Sequence, residues 1–285
     1  DIVQALAERK DTNQPKVIIR DLIDKIVAEL PERLNADNIL AIAKVVEQAL
    51  AEKHILLQFN QEELRQFALA QGWSGNIKDA SGDYLAVINT NIAGGKSDRK
   101  MKQQVEHQAT VTPDGSIIVN LEITREHSGQ KGEPFIGVRN VNYLRVYVPL
   151  GSELLDASGF SAPDEIYFDP PAEGADIDPD IYLSEGMAKV DSNTGVKIYS
   201  EFNKTVFANW TQVDPGQSIT IKFKYKLPFK LNKVKKTAGA LAALFSSELN
   251  VMPYSLLVQK QPGSVSTDFI SRLQLPENME IILVR

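Results

Sequence analysis

From Tyr84 onward the apolar residues of this chain fall on every second position, and that period limits what the chain can build. Val105, His107, Ala109 and Val111 alternate with Glu106, Gln108 and Thr110. Pro113-Asp114-Gly115 follows, where Pro sets φ and Gly supplies the positive φ of a tight turn. Ile117, Val119, Leu121 and Ile123 continue on the return path, which predicts a β-hairpin. The alternation recurs at Leu144, Val146 and Val148, ended by Pro149 and Gly151. It recurs again at Ile219, Ile221, Phe223, Tyr225 and Leu227, after Asp214-Pro215-Gly216. Tyr254 to Lys260, Phe269 to Leu275 and Met279 to Val284 predict further strands, with a turn at Pro262-Gly263. Many short strands with one wet face indicate an antiparallel β-sandwich. The stretch from Gly159 to Ser200 is rich in Asp, Pro and Gly and reads as a long acidic insertion between strands.

Before Tyr84 the period is helical. Asn13 and Pro15 read as a helix start. Ile18, Ile19, Leu22, Ile23, Ile26, Val27 and Leu30 form one apolar stripe, which Pro31 is expected to stop. Asn35 reads as the cap of a second helix carrying Ile39, Leu40, Ala43, Val46, Ala49 and Leu50. Ile55 to Phe59 looks like a short strand, and Asn60 with Glu63 looks like a capping box for a third helix that Gly72 ends. The expected fold class is therefore α+β: a helical segment over residues 1–82, then an antiparallel, Ig-like β-sandwich over 83–285.

Charge and composition exclude several functions. The net charge is −6 over 285 residues, without the basic footprint of a nucleic-acid binder. There is no cysteine, which removes disulfides, thiolate catalysis and cysteine-held zinc. The longest apolar run, Ala238 to Phe245, is far too short to span a bilayer. The chain begins at Asp1 without a methionine, which reads as a processed or truncated product whose targeting segments are missing.

Three patterns hold candidate chemistry. Thr90-Asn91-Ile92-Ala93-Gly94-Gly95-Lys96-Ser97 nearly matches a phosphate-cradling loop, in which backbone N–H groups hold phosphate and Lys neutralises it. Thr90 stands where the first glycine belongs, and the segment after it lacks an apolar helical face. Asn89, Asn91, Gly94, Gly95, Lys96 and Ser97 are the candidate ligand residues, for a phosphate or anionic glycan group, against a glycine turn with Lys96 in solvent. Asp176, Asp178 and Asp180 are the candidate calcium ligands in the acidic insertion, flanked by Asp164 and Asp169. Calcium is the only cofactor suggested, and a solvated acidic loop is the plainer reading. Lys222, Lys224, Lys226, Lys230, Lys233, Lys235 and Lys236 suggest either a solvated face that discourages edge pairing or contact with anionic polymer.

The histidines His54, His107 and His127 lack metal-ligand spacing, and no G-x-S-x-G elbow accompanies them. His107 lies on the apolar phase of its strand, as a buried, hydrogen-bonded histidine would. A serine–histidine–acid site would have to assemble from distant residues.

Five phrases stand in order along the chain: His54-Ile55-Leu56-Leu57-Gln58-Phe59, Gly72-Trp73-Ser74-Gly75, Asp83-Tyr84-Leu85 leading to Asn89, Asn91, Gly94, Gly95, Lys96 and Ser97, Tyr143 to Pro149 with Gly151-Ser152, and Tyr254 to Gly263. Together they resemble an uncharacterised bacterial family, domain of unknown function 4012. The resemblance implies a membrane-anchored envelope protein. Arg9 to Leu69 further resembles the tail of a LytR–CpsA–Psr phosphotransferase domain, whose pyrophosphate-binding residues would lie upstream. No catalytic residue is carried over. Tyr143 to Gly159 and Asp214 to Leu227 also look like strands of bacterial surface Ig-like repeats.

The expectation is a non-enzymatic module at the bacterial cell surface, outside the cytoplasm. It would bind wall polymer or another envelope protein, or self-associate. The alternatives are an accessory C-terminal part of a LytR–CpsA–Psr-like glycopolymer phosphotransferase and, third, a free-standing enzyme.

Overall fold

The helical period of the first part yields α1 (Val17–Arg33), α2 (Ile39–Ala51) and α3 (Glu62–Ala70). This computed structural model describes residues 17–231, 234–235, 250–265, 267–277 and 279–280, so the start signal at Asn13 and Pro15 lies outside the described residues. Pro31 does not stop α1 but sits within its last turn. Pro31 gives up one i→i−4 bond, but the helix closes beyond it, the Leu34 N–H reaching the Leu30 carbonyl. Asn38, not Asn35, is the cap position of α2, and it makes no side-chain cap bond; Asn35 Oδ1 accepts from the N–H groups of Asp37 and Asn38 in the turn before it. Gln61, not Asn60, is the cap position of α3, and it makes no side-chain cap bond. Gly72 ends that helix at φ +73°, where only glycine is unstrained. Ile55 to Phe59 forms no strand, because its backbone has no ladder partner beyond the bond from Leu57 N–H to the Trp73 carbonyl. Leu22, Ile23, Ile26 and Val27 of the α1 stripe are exposed.

The chain divides into two compact units, Asp1–Gly75 and Asn76–Arg285. The second holds the strands β1 (Asp83–Asn91), β2 (Met101–Val111), β3 (Ser116–His127), β4 (Asn140–Pro149) and β5 (Glu153–Ser158). It continues with β6 (Lys189–Val190), β7 (Lys197–Glu201), β8 (Lys204–Val213) and β9 (Ser218–Lys230). The short β10 (Val234–Lys235) and β11 (Asn250–Val251) pair with each other, and β12 (Leu256–Val258) and β13 (Thr267–Gln274) follow. One sheet runs β12-β1-β4-β8-β7-β6 and the other β13-β2-β3-β9-β5. The protein is α+β, mostly β, and both sheets are mixed.

That corrects the antiparallel expectation. β12 runs parallel to β1 and β13 parallel to β2. Alternation along a strand records which side chains are buried. It does not record direction, which the long connection after β9 sets. The acidic stretch is corrected too: 159–200 carries β6 and β7, which extend the six-stranded sheet. The lysine face does not guard an edge, because β9 lies between β3 and β5. Lys222 instead pairs with Glu122, its register partner, at 3.0 Å. Lys233 and Lys236 lie outside the described residues.

One hydrophobic core joins the two sheets. Leu85, Leu144, Val146 and Phe207 come from the first, and Val119, Leu121, Ile123, Ile221, Phe223 and Tyr225 from the second. Each fully buried aliphatic or Phe side chain here contributes about 1.5–3 kcal/mol. The first sheet is packed on its other face as well, by Tyr84, Tyr143, Tyr147, Tyr199, Val206 and Ala208. This explains why β4 is buried almost throughout, while Asn120, Lys222 and Lys224 leave the second sheet wet on one side. Among the described residues no helix is long and apolar enough to cross a membrane.

Candidate functional site

On β3 the inward positions read Ile117, Val119, Leu121, Ile123 and then Arg125. The alternation that buries four aliphatic side chains therefore buries a guanidinium, at 2% exposure. Removing that charge from water costs several kcal/mol unless it is paired. The nearest acid is Asp98, 3.9 Å from Nη2 and itself 53% exposed. Arg125 Nε and Nη1 have no hydrogen-bond partner among the described residues. Burial pulls the guanidinium down to about 10, and the charge of Asp98 opposes that shift.

Arg125 lines a cavity of about 270 Å³ with Asn89, Asp98, Gln103, Gln261 and Thr267. The rest of the rim is built from backbone substitutes. The Gln261 amide accepts from the Asn89 N–H and donates to the Asn89 carbonyl, so a side chain continues the β1 ladder beyond β12. Gln261 opens the Pro262-Gly263 turn, closed by the Ser264 N–H on the Gln261 carbonyl, with Gly263 at φ +73°. Asn89 Nδ2 donates to Gln103 Oε1 at 2.9 Å, fixing the floor between β1 and β2. The arrangement offers one cation, one partly competing carboxylate and several amides. Such a surface suits an anionic group carried on a hydroxyl-rich molecule.

Of the six loop candidates, only Asn89 lines this cavity. The loop turns its polar groups on itself. Asn91 Oδ1 accepts from the Gly94 N–H, Lys96 N–H donates to the Phe135 carbonyl, and Ser97 N–H donates to the Gly94 carbonyl. The buried Ser97 hydroxyl donates to the Gly94 carbonyl and accepts from Asn140 Nδ2. Gly94 is buried against Asn91 and the Arg139–Asn140 backbone, and Lys96 is exposed. These N–H groups face acceptors of the protein and not a phosphate. The loop's contribution to the site is indirect: it ends at Asp98, whose Oδ1 is held by Asn140 Nδ2 at 2.8 Å.

The calcium candidates do not converge. Asp176, Asp178 and Asp180 are all exposed, and Asp178 Oδ1 caps a short helical turn by accepting from the N–H groups of Asp180 and Ile181. Among the described residues no three His, Asp or Glu side chains gather closely enough to hold a metal ion. His127 is fully buried and satisfied, with Nε2 on the Val138 carbonyl and Nδ1 accepting from the Gly129 N–H.

Sequence reading missed Arg125, Asp98, Gln103 and Gln261. Arg125 did leave a signal, a charge on the apolar phase of an otherwise aliphatic strand. Asp98 and the glutamines left none, because amides and acids at strand ends are ordinary surface residues until the fold closes around them.

No family model matches the chain, and no curated protein sequence matches it. Among solved structures it is similar to an M1 zinc metallopeptidase from Deinococcus radiodurans bound to a Tyr-Ser-Ala substrate. That match has 12% identity and a TM-score of 0.22, and covers 50% of this chain and 26% of the peptidase. A second is a proposed nutrient binding protein from Legionella pneumophila, at 10% identity and TM-score 0.23, covering 51% of this chain and 44% of that one. The chain thus spans less than half the length of these structures, and the scores are too low to assign a fold family or a function.

Proposed function

We propose that this chain is an extracytoplasmic module of the bacterial cell envelope that binds an acidic surface polymer through the Arg125 cavity. The observation that supports this reading is the buried Arg125 guanidinium, which lines a polar cavity and whose acid partner Asp98 stays 3.9 Å from Nη2. A charge so placed is costly to keep and gains most when an anion completes its hydrogen bonds. Gln103 and Gln261, whose amides are fixed on Asn89, keep a second amide hydrogen each for the hydroxyl groups of a glycan. Envelope location and an Ig-like class of sandwich belong to the same proposal and rest on the phrases quoted above.

A second reading is favoured by the exposed α1 stripe in the separate unit of residues 1–75. The helices would be the end of a LytR–CpsA–Psr-like domain whose remainder covers Leu22, Ile23 and Ile26, and the β unit its accessory part.

Co-sedimentation of the chain with isolated bacterial wall material tests the first reading. Pelleting that acidic glycan competes away, and that Arg125→Met abolishes in a folded protein, supports it. Pelleting indifferent to Arg125→Met sinks the assignment to this cavity.

A further inference from the structure

Three residues far apart in the chain meet where the two sheets approach each other beside β13. Asp83 opens β1, His107 lies mid-way along β2, and Ser271 is its register partner on β13. The His107 and Asp83 side chains are both fully buried, with His107 Nε2 3.2 Å from Asp83 Oδ2. His107 Nδ1 stands 3.2 Å from Ser271 Oγ. Ser271 is exposed, on the outermost strand of its sheet.

The order of the groups has chemical consequences. Asp83 acts as an acceptor twice over: Oδ1 takes the Tyr84 N–H at 2.7 Å and Oδ2 takes the Tyr254 hydroxyl at 2.7 Å. That fixes the carboxylate beside the imidazole. The tautomer with its proton on Nε2, toward Asp83, is the one that leaves the Nδ1 lone pair to accept from the Ser271 hydroxyl. The Nε2 to Oδ2 approach is close but off the line of a hydrogen bond, as catalytic contacts often are before substrate arrives. A tie that served packing alone would have no reason to end on an exposed hydroxyl. Phe269 and Leu273 flank Ser271 on the same face of β13, and Leu273 packs against the core. The hydroxyl is exposed on an edge strand, which suits a small acyl group on a larger carrier.

We propose that Ser271 is a nucleophile activated by His107, which Asp83 orients, and that it accepts small acyl groups from esters. Ser271 Oγ attacks the ester carbonyl carbon while its proton passes to His107 Nδ1. The tetrahedral adduct collapses, the acyl–oxygen bond of the ester breaks, and His107 returns the proton to the leaving alkoxide. Water then hydrolyses acyl-Ser271 with the same proton transfers, releasing the acid and restoring the hydroxyl. The proposal stands apart from the Arg125 cavity and rests on none of its residues.

The test uses the full chain with an alkyl fluorophosphonate, read by intact mass and peptide mapping, beside hydrolysis of p-nitrophenyl acetate. The expected result is a single adduct on Ser271, absent in Ser271→Ala, with acylation slowed about 100-fold by His107→Gln. Because His107→Gln empties a buried site, Ser271→Cys supplies an independent measurement. It would be the only thiol in a chain without cysteine. Its alkylation by iodoacetamide should persist well below the ordinary thiol range of about 8.5. Ser158→Cys, exposed on β5 at the other edge of the same sheet, should titrate normally. No adduct on Ser271 of the folded protein overturns the nucleophile. A Ser271→Cys thiol that titrates like Ser158→Cys overturns its activation by His107.

Discussion

Asp98 holds its carboxylate 3.9 Å from the guanidinium of Arg125, and the two could hardly differ more in exposure, 53% against 2%. The acid is tied back by Asn140, so it partners the cation without closing on it.

Replacing Arg125 should separate binding from stability. Arg125→Met removes a desolvated charge and keeps much of its volume, so the folded state should lose little and can gain about 1 kcal/mol or more. Binding of acidic wall polymer should fall to background in the same protein. Thermal melts and co-sedimentation on one preparation measure both. A large drop in melting temperature would mean that Arg125 is structural and already satisfied.

The glycine loop should behave as architecture. A Cβ on Gly94 would come within 2.8 Å of the Arg139 carbonyl oxygen and 2.9 Å of Asn140 Cα, backbone atoms that cannot swing aside. Gly94→Ala should therefore destabilise by about 1–3 kcal/mol in urea titrations. Lys96→Ala, at an exposed position, should stay within about 0.5 kcal/mol. The reverse ranking would restore a ligand role to the lysine.

Two acids set an acid limit. Lys230 and the hydroxyls of Thr112 and Ser116 hold the Asp114 carboxyl well below the usual carboxylate range. Arg139 lowers Asp214 through bonds of 2.6 and 2.8 Å. A folded value below the unfolded one contributes stability above the unfolded value of about 3.9, lost as pH falls through the folded value. Unfolding free energy should thus decline with acidification below about pH 4, and Asp114→Asn with Asp214→Asn should flatten that slope. Both sites are exposed, so the effect is modest and should shrink in 1 M salt.

The tyrosines set an alkaline limit. Burial raises Tyr84 to about 12. It also raises Tyr143, Tyr147, Tyr199, Tyr225 and Tyr254 above the ordinary value. The stability this carries is complete below the unfolded value of about 10 and is lost as pH rises toward the folded values. Tyrosinate absorbance should therefore lag in the folded protein at pH 11 and appear together with loss of near-ultraviolet dichroism. Smooth titration near pH 10 without unfolding would contradict the burial of Tyr84, Tyr143, Tyr147 and Tyr199 on the outer face of the first sheet and of Tyr225 in the core between the sheets.

The residues themselves determined the elements. Period two placed β2, β3, β4 and β9, because a sheet with one dry face selects for alternation. Period 3.6 placed α1 and α2 for the same reason on a helix, and Pro113-Asp114-Gly115 and Pro262-Gly263 turn where expected. What local pattern does not encode is which strand lies beside which, and in what direction. The parallel additions of β12 to β1 and β13 to β2 depend on a connection many residues long. Those two pairings bring Gln261 to Asn89 and Ser271 to His107. Arg125 was visible as a charge on an apolar phase, but its cavity was not. A cavity is the space left between side chains of distant segments, and only the closed fold brings them together.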